Sequence, residues 1–378
     1  MSKTLCRPII AALLCAAAVV RGADAPMKFL GALSCASTGC HGGGGKQNQF
    51  LTWSLKDFHS QRPTATLTTA RSKQIADALE IKDPTADVRC TTCHAPLHDV
   101  PENLRAENFK VSEGVSCESC HGPAENWLRS HTRHDFTRAD RTAAGMRDLQ
   151  NLYVRANTCV ACHQVVSQPL LKAGHPELIF ELDGQSVTEP KHWSAEKNGN
   201  SAQAWLVGQA VALREMSWQL NQKEKLPPTE NNLNRCLALF EVLQKVGQVT
   251  DTADDTLLKF EQNASVYPEQ IFIESLQNWS DQIARKAAVK DWSPILTRDC
   301  LAALGKEDFT NAKDASSRLA RRAERLVLAL DRLLAAENNH QADAELNQLF
   351  KLAQSLPDFD PKAFAAALEK FSTALHAP

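Results

Sequence analysis

The chain has 378 residues and carries 42 Lys and Arg against 44 Asp and Glu, a formal net charge of −2. That length predicts two domains, and the balanced charge excludes the basic footprint of a nucleic-acid binder. Beyond the N-terminal residues, no apolar run is long enough to span a bilayer.

Residues 1–25 read as an export leader. Lys3 and Arg7 make a basic start, Ile9 to Val20 an apolar run, and Ala23 and Ala25 an A-x-A cleavage site. The alternative is a retained anchor at the same place. Cleavage near Ala25 predicts a periplasmic protein, soluble or peripheral, with no transmembrane segment in the mature chain. Of the 12 cysteines, Cys6 and Cys15 leave with the leader, and eight of the rest form four pairs before residue 163. Disulfides are the ordinary reading of paired cysteines in an exported protein. Here a histidine follows every pair, and that argues for different chemistry.

The first pair is irregular. Cys35 and Cys40 are separated by four residues, with His41 after them and glycines at 42 to 45. The two extra residues are expected to bulge outward, and the glycines to admit a close flat ligand. Phe50 to Ser60 reads as helical and carries Trp53 and His59, while Arg71 to Glu80 reads as a short polar helix before a turn at Asp83 and Pro84. Cys90-Thr-Thr-Cys93-His94 is the second site. His98 shares the face of His94 if a helix continues, where it serves a neighbouring centre, a proton path or only a carboxylate. Cys117-Glu-Ser-Cys120-His121 is the third, with His131 ten residues on and His134 after it. Arg129, Arg133, Arg138 and Arg141 nearby are either a solvated face or carboxylate partners. Cys159-Val-Ala-Cys162-His163 is the fourth. His175, held between Gly174 and Pro176, is expected outside a helix, and His192 is a weaker candidate in a further loop.

C-x-x-C-H is the signature of covalent haem attachment. Two thiols bond the porphyrin and the histidine coordinates its iron. Histidine is only 12 of 378 residues, so its return after every pair is not chance. Zinc or a catalytic dithiol does not need it there. The sequence therefore predicts four covalently bound c-type haems, attached by Cys35, Cys40, Cys90, Cys93, Cys117, Cys120, Cys159 and Cys162. His41, His94, His121 and His163 are the expected proximal ligands. His59, His131 and His175 are the distal candidates. Four haems in so short a segment must supply much of its apolar bulk themselves.

From about residue 200 the character changes. Leu233, Leu237, Phe240 and Leu243 recur at helical spacing, as do Ile271, Leu276, Trp279 and Ile283, and Leu319, Ala323, Leu326, Leu330 and Leu333. Phe364, Leu368, Phe371 and Leu375 close the series. Pro227, Pro228, Pro294 and Pro357 separate these helices. Cys236 and Cys300 are either a disulfide or two buried thiols. Arg318, Arg321, Arg322 and Arg325 read as a solvated face or a docking patch. The expected fold is mainly α: a leader at 1–25, a multihaem c-type cytochrome domain with few strands over 26–197, and an all-α helical domain over 198–378.

Residues 30–195 resemble the cytochrome c-554 family of multihaem c-type cytochromes. GVSCESCHGP with its later histidine, the Trp53…His59 segment and the order of the motifs carry the resemblance. It implies a helical tetrahaem fold, periplasmic electron transfer, three bis-histidine haems and a five-coordinate second haem. Carried over, His131 is distal ligand to the haem of His41, His59 serves a later haem, His175 fills the remaining role, and His94 marks the open iron. The four-residue spacing of Cys35 and Cys40 and the helical half depart from the family. The expected function is electron transfer between redox partner proteins, with no catalytic residue assigned. The alternative is a redox enzyme acting on nitric oxide, hydroxylamine or nitrite at the open haem. The helical domain offers a surface for oligomerisation.

Overall fold

The computed structural model describes residues 26–193, 201–222, 229–258, 270–310, 316–355 and 358–375. The expected leader, the boundary at 197/198, Pro227, Pro228 and Pro357 lie outside the described residues. The N-terminal half holds α1 (Gln49–Lys56), α2 (Phe58–Thr66), α3 (Ala70–Ala78), α4 (Val88–His94), α5 (Cys117–His121), α6 (Arg138–Ala143), α7 (Leu152–His163), α8 (Gln168–Lys172) and α9 (Leu182–Thr188). The C-terminal half holds α10 (Ser201–Asn221), α11 (Glu230–Thr250), α12 (Gln270–Val289), α13 (Pro294–Leu304), α14 (Ser316–Glu337), α15 (Asp343–Ala353) and α16 (Pro361–Leu375). Among the described residues the β-structure is one isolated bridge, Phe29 with Arg105. The fold is mainly α, as the sequence predicts. None of the described helices is long and apolar enough to cross a membrane.

Short side chains start the helices of the first half. Asp57 accepts from the His59 amide at the start of α2, and Asp87 from the Arg89 amide at the start of α4. Ser116 and Ser119 form a capping box on α5, and Asn151 caps α7. These caps matter because α4 and α5 are too short to hold by propensity alone.

The second half is built around α10. That helix is buried from Ala202 to Leu213 on nearly every side and packs against α7, α9, α11, α12 and α14. Trp205, Phe240, Leu243, Leu276, Cys300, Leu326, Leu330 and Phe364 lie in one continuous core. The same core takes in Leu152, Ala156 and Val160 of α7, with Phe180 and Leu182. Cys236 and Cys300 are buried free thiols, so of the two readings the thiols hold. The arginines of α14 are neither a solvated face nor a docking patch. Arg318 and Arg322 pair with Glu241 of α11, Arg321 pairs with Glu324, and Arg325 is buried.

Before residue 150 the core is thin. Its buried apolar side chains are mostly small or isolated, such as Ala32, Leu67, Ile75, Ala95, Ala124 and Trp127. The rest of that interior is one cavity.

Candidate haem-binding site

The cavity measures about 1830 Å³ and is lined by thiols or histidines from all four motifs. A single small-molecule ligand usually occupies roughly 300–1,000 Å³, so this space suits several large groups. Its lining includes Phe50, Trp53, Phe58, Leu128, Val166 and Trp218. These give flat apolar walls without filling the space.

Three motifs are positioned in the same way. α4, α5 and α7 each end at the motif histidine, His94, His121 and His163. Cysteines at i and i+3 and histidine at i+4 therefore share one helix face. His98 is not on that face, because α4 stops at His94. It pairs instead with Asp99 at 2.8 Å. The first motif replaces the helix with a turn. Cys40 N and Gly42 N both donate to Ser37 O, and His41 N donates back to Cys35 O at 3.2 Å. The extra residues bulge, and Cys35 stays beside His41. Gly42 permits this, since a Cβ there would sit 1.8 Å from Ala36 O.

The structure sets histidines in facing pairs. The rings of His41 and His131 are 6.1 Å apart and 17° from parallel. Those of His59 and His163 are 6.0 Å apart at 85°. Both separations suit two imidazoles that share one metal from opposite sides. His94 has no facing ring among the described residues. His175 lines the cavity on a loop tied to α3 by Arg71 Nη2, which donates to Gly174 O at 2.7 Å. No described ring contact joins it to another histidine.

The hydrogen bonds of these rings test whether they fit an iron. His41 Nδ1 faces Gln49 Oε1 at 3.0 Å, His94 Nδ1 faces Pro63 O at 2.8 Å, and His131 Nδ1 faces Trp127 O at 3.0 Å. His59 Nδ1 faces Asp57 Oδ1 at 3.1 Å, and His175 Nδ1 faces Pro176 O at 2.8 Å. Each acceptor calls for a proton on Nδ1 and leaves Nε2 free to coordinate, the usual arrangement behind a metal-bound histidine. Asp57 also raises the His59 pKa through that hydrogen bond. His121 has no partner on its buried Nδ1, and burial pushes its imidazole down to about 4, with His192 adding to the effect. It is therefore a neutral ring at pH 7. The donor set fits haem.

The thiols show how the motifs neighbour one another. Cys35 contacts Cys117, and Cys93 contacts Cys162. Burial pushes Cys120 and Cys159 up to about 12, and the nearby Cys120 adds to the Cys159 shift. The four clusters thus run in the order first, third, fourth, second. Arg138 and Arg141 line the cavity while Arg133 pairs with Asp135 at the surface, so the two readings of this arginine group divide between its members. Arg141 Nε is buried without a partner, which suits a haem carboxylate.

Sequence reasoning ranked one residue too low and passed over others. His192, half-buried, lies with Asp57 and Glu189 in a cluster whose ligand atoms are within 4.8 Å of one another. Its effect on His121 places it nearer the third motif than its loop position suggested. Glu118, between Cys117 and Ser119, is 1% exposed and accepts from Leu30 N, Gly31 N and Ala124 N. Glu113 accepts from Ala32 N. These two carboxylates fix the segment that leads into Cys35. A charged residue in a spacer position was the available signal.

A profile of the family described as Cytochrome c554 and c-prime matches residues 34–122. Cytochrome c-554 of Nitrosomonas europaea is 33% identical over 116 residues, 29% of this chain and 44% of that protein. The matched stretch thus spans under half of that relative. No solved structure matches the chain. The motifs, their cavity and these matches define a c-type cytochrome domain, which holds haem covalently. Over residues 34–122 the chain is thus similar to the cytochrome c-554 family.

Proposed function

We propose that the protein is a periplasmic tetrahaem electron carrier that passes electrons between redox partner proteins. The observation that supports this best is the pair of facing histidine couples, His41 with His131 and His59 with His163. An iron closed on both sides favours electron transfer over ligand chemistry. Bound haem supplies one-electron chemistry, and the chain's residues set where and how readily it occurs. Cys35 with Cys40, Cys90 with Cys93, Cys117 with Cys120 and Cys159 with Cys162 fix the groups. Gln49, Asp57, Pro63 and Trp127 orient the ligands through Nδ1. Cys35 neighbours Cys117 and Cys93 neighbours Cys162, so haems held by these thiols would be neighbours and could pass electrons from the first site through the third and fourth to the second.

The unfaced His94 favours a second reading, in which a small nitrogen compound reacts at the second site. Electron paramagnetic resonance of the oxidised protein tests both. Low-spin signals for most of the haem support the carrier. One high-spin centre in four that responds to nitric oxide or cyanide supports an open second site. An entirely low-spin, ligand-inert protein removes the catalytic reading, and a mostly high-spin protein overturns the carrier.

A further inference from the structure

The helical domain meets the haem domain at one place in particular. α7 and α9 pack against α10, and only the fourth motif is carried on a helix of that shared core. Arg214 donates to Asn157, two residues before Cys159, and to Asp281, which also accepts from Tyr153 at 2.7 Å. α9 is held still more closely. Gln209 Nε2 donates to Phe180 O at 3.0 Å just before it. Gly208 lies so near that a Cβ would meet Leu182 Cβ at 2.7 Å. Arg332 Nη1 stands 4.0 Å from Asp183 Oδ2, and the buried Arg325 attracts Glu181.

One turn along, the α9 residue Gln185 reaches the ligand. Its side-chain amide is 3.1 Å from His163 Nδ1, while its own Oε1 is buried without a partner. An amide's oxygen and nitrogen have nearly the same shape. If Nε2 of His163 coordinates, Nδ1 carries the proton and needs an acceptor. Turning the amide meets that need and removes the orphaned oxygen together. Gln185 is then the hydrogen-bond acceptor behind the fourth proximal ligand, as Gln49 is behind the first.

We infer that the helical domain sets the electron affinity of the fourth centre through α9, with Gln185 as the positioning residue for His163. This rests on the reading that His163 ligates haem. An acceptor on Nδ1 makes the imidazole a stronger donor and stabilises the oxidised iron. A stronger acceptor therefore lowers the potential of that centre, and a lost acceptor raises it. The bracing of α9 by Gln209 and Arg332 keeps the amide in register.

The test is a potentiometric titration of the full-length holoprotein followed by electron paramagnetic resonance. The low-spin signal lost in His59→Ala marks the fourth centre. Gln185→Glu is expected to lower the potential of the marked signal and Gln185→Leu to raise it. Arg332→Met, outside the haem cavity, should raise the same potential and leave the others in place. Opposite shifts from two variants at one position are not what a general loosening produces. An unmoved potential at full haem content, or shifts of the same sign in both Gln185 variants, overturns the inference. Wild-type protein without haem at Cys159 and Cys162 overturns the haem reading first, and the inference with it.

Discussion

Replacing Glu118 by Gln tests how the first and third motifs are tied. The change keeps the shape of the side chain. In the wild type, Oε1 accepts from Leu30 N at 2.9 Å and Ala124 N at 2.7 Å, and Oε2 accepts from Gly31 N at 2.7 Å. A neutral amide has one oxygen. Its NH2 must face at least one of the three backbone donors, and that donor is left unpaired in a buried place. An unsatisfied buried N–H costs about 1–3 kcal/mol, and hydrogen bonds to a charged acceptor exceed neutral ones by roughly 1 kcal/mol. The expected loss is about 3 kcal/mol for the haem-binding part of the fold. In a domain of this size that lowers the thermal midpoint by roughly 6–12 °C. Haem-band absorbance during heating reads this transition directly. A midpoint within 1 °C of wild type would show that Glu118 does not hold the segment, and that the first motif is positioned by something else.

His131→Ala should convert one low-spin centre in four to a high-spin, ligand-accessible one; an unchanged spectrum removes His131 as a ligand. Gly42→Val places a side chain where a Cβ already lies 1.8 Å from Ala36 O, so the bulge should fail and the chain should lose haem at Cys35 and Cys40 alone, read by intact mass. Burial, helped by the charge of Asp183 and opposed by Arg325 and Arg332, pushes Glu181 up to about 7 from an ordinary 4.5. Because the folded form holds the proton more tightly, this group's contribution is full below about pH 4.5 and is lost as pH rises through about 7. The difference amounts to about 3 kcal/mol. Urea midpoints should therefore fall between pH 5 and 8, and Glu181→Gln should flatten that dependence; an equally steep profile in the variant contradicts the assignment. Trp205→Ala empties a side chain 1% exposed near the start of α10 and should cost about 3–5 kcal/mol in the unfolding transition, measured by far-ultraviolet circular dichroism.

The haem motifs and most of the C-terminal helices are legible in the sequence because their signals are local. Cys117, Cys120 and His121 sit within five residues, and Leu319 to Leu333 repeat with the helical period. α10 carries no such period. It is apolar on all sides because it is surrounded, so the helix at the centre of the second half leaves no stripe to read. The run Arg318 to Arg325 misleads for the opposite reason. Its partners Glu241, on α11, and Glu307, just past α13, lie outside the run, and only the packing of α11 and α13 on α14 brings them near. The His131 pairing was available only through family likeness, since nothing in its spacing from His121 points to His41. His192 was ranked low and Gln185 went unread because their value lies in position. A loop histidine and a helical glutamine are common; α9 gives Gln185 its place, and the cluster with Asp57 and Glu189 gives His192 its own.

Intact mass of the exported, denatured protein after thiol alkylation tests the central claim most directly. The account predicts four haems on each chain, with all eight motif cysteines protected and only Cys236 and Cys300 alkylated. Three haems, with Cys35 and Cys40 alkylated, would contradict it.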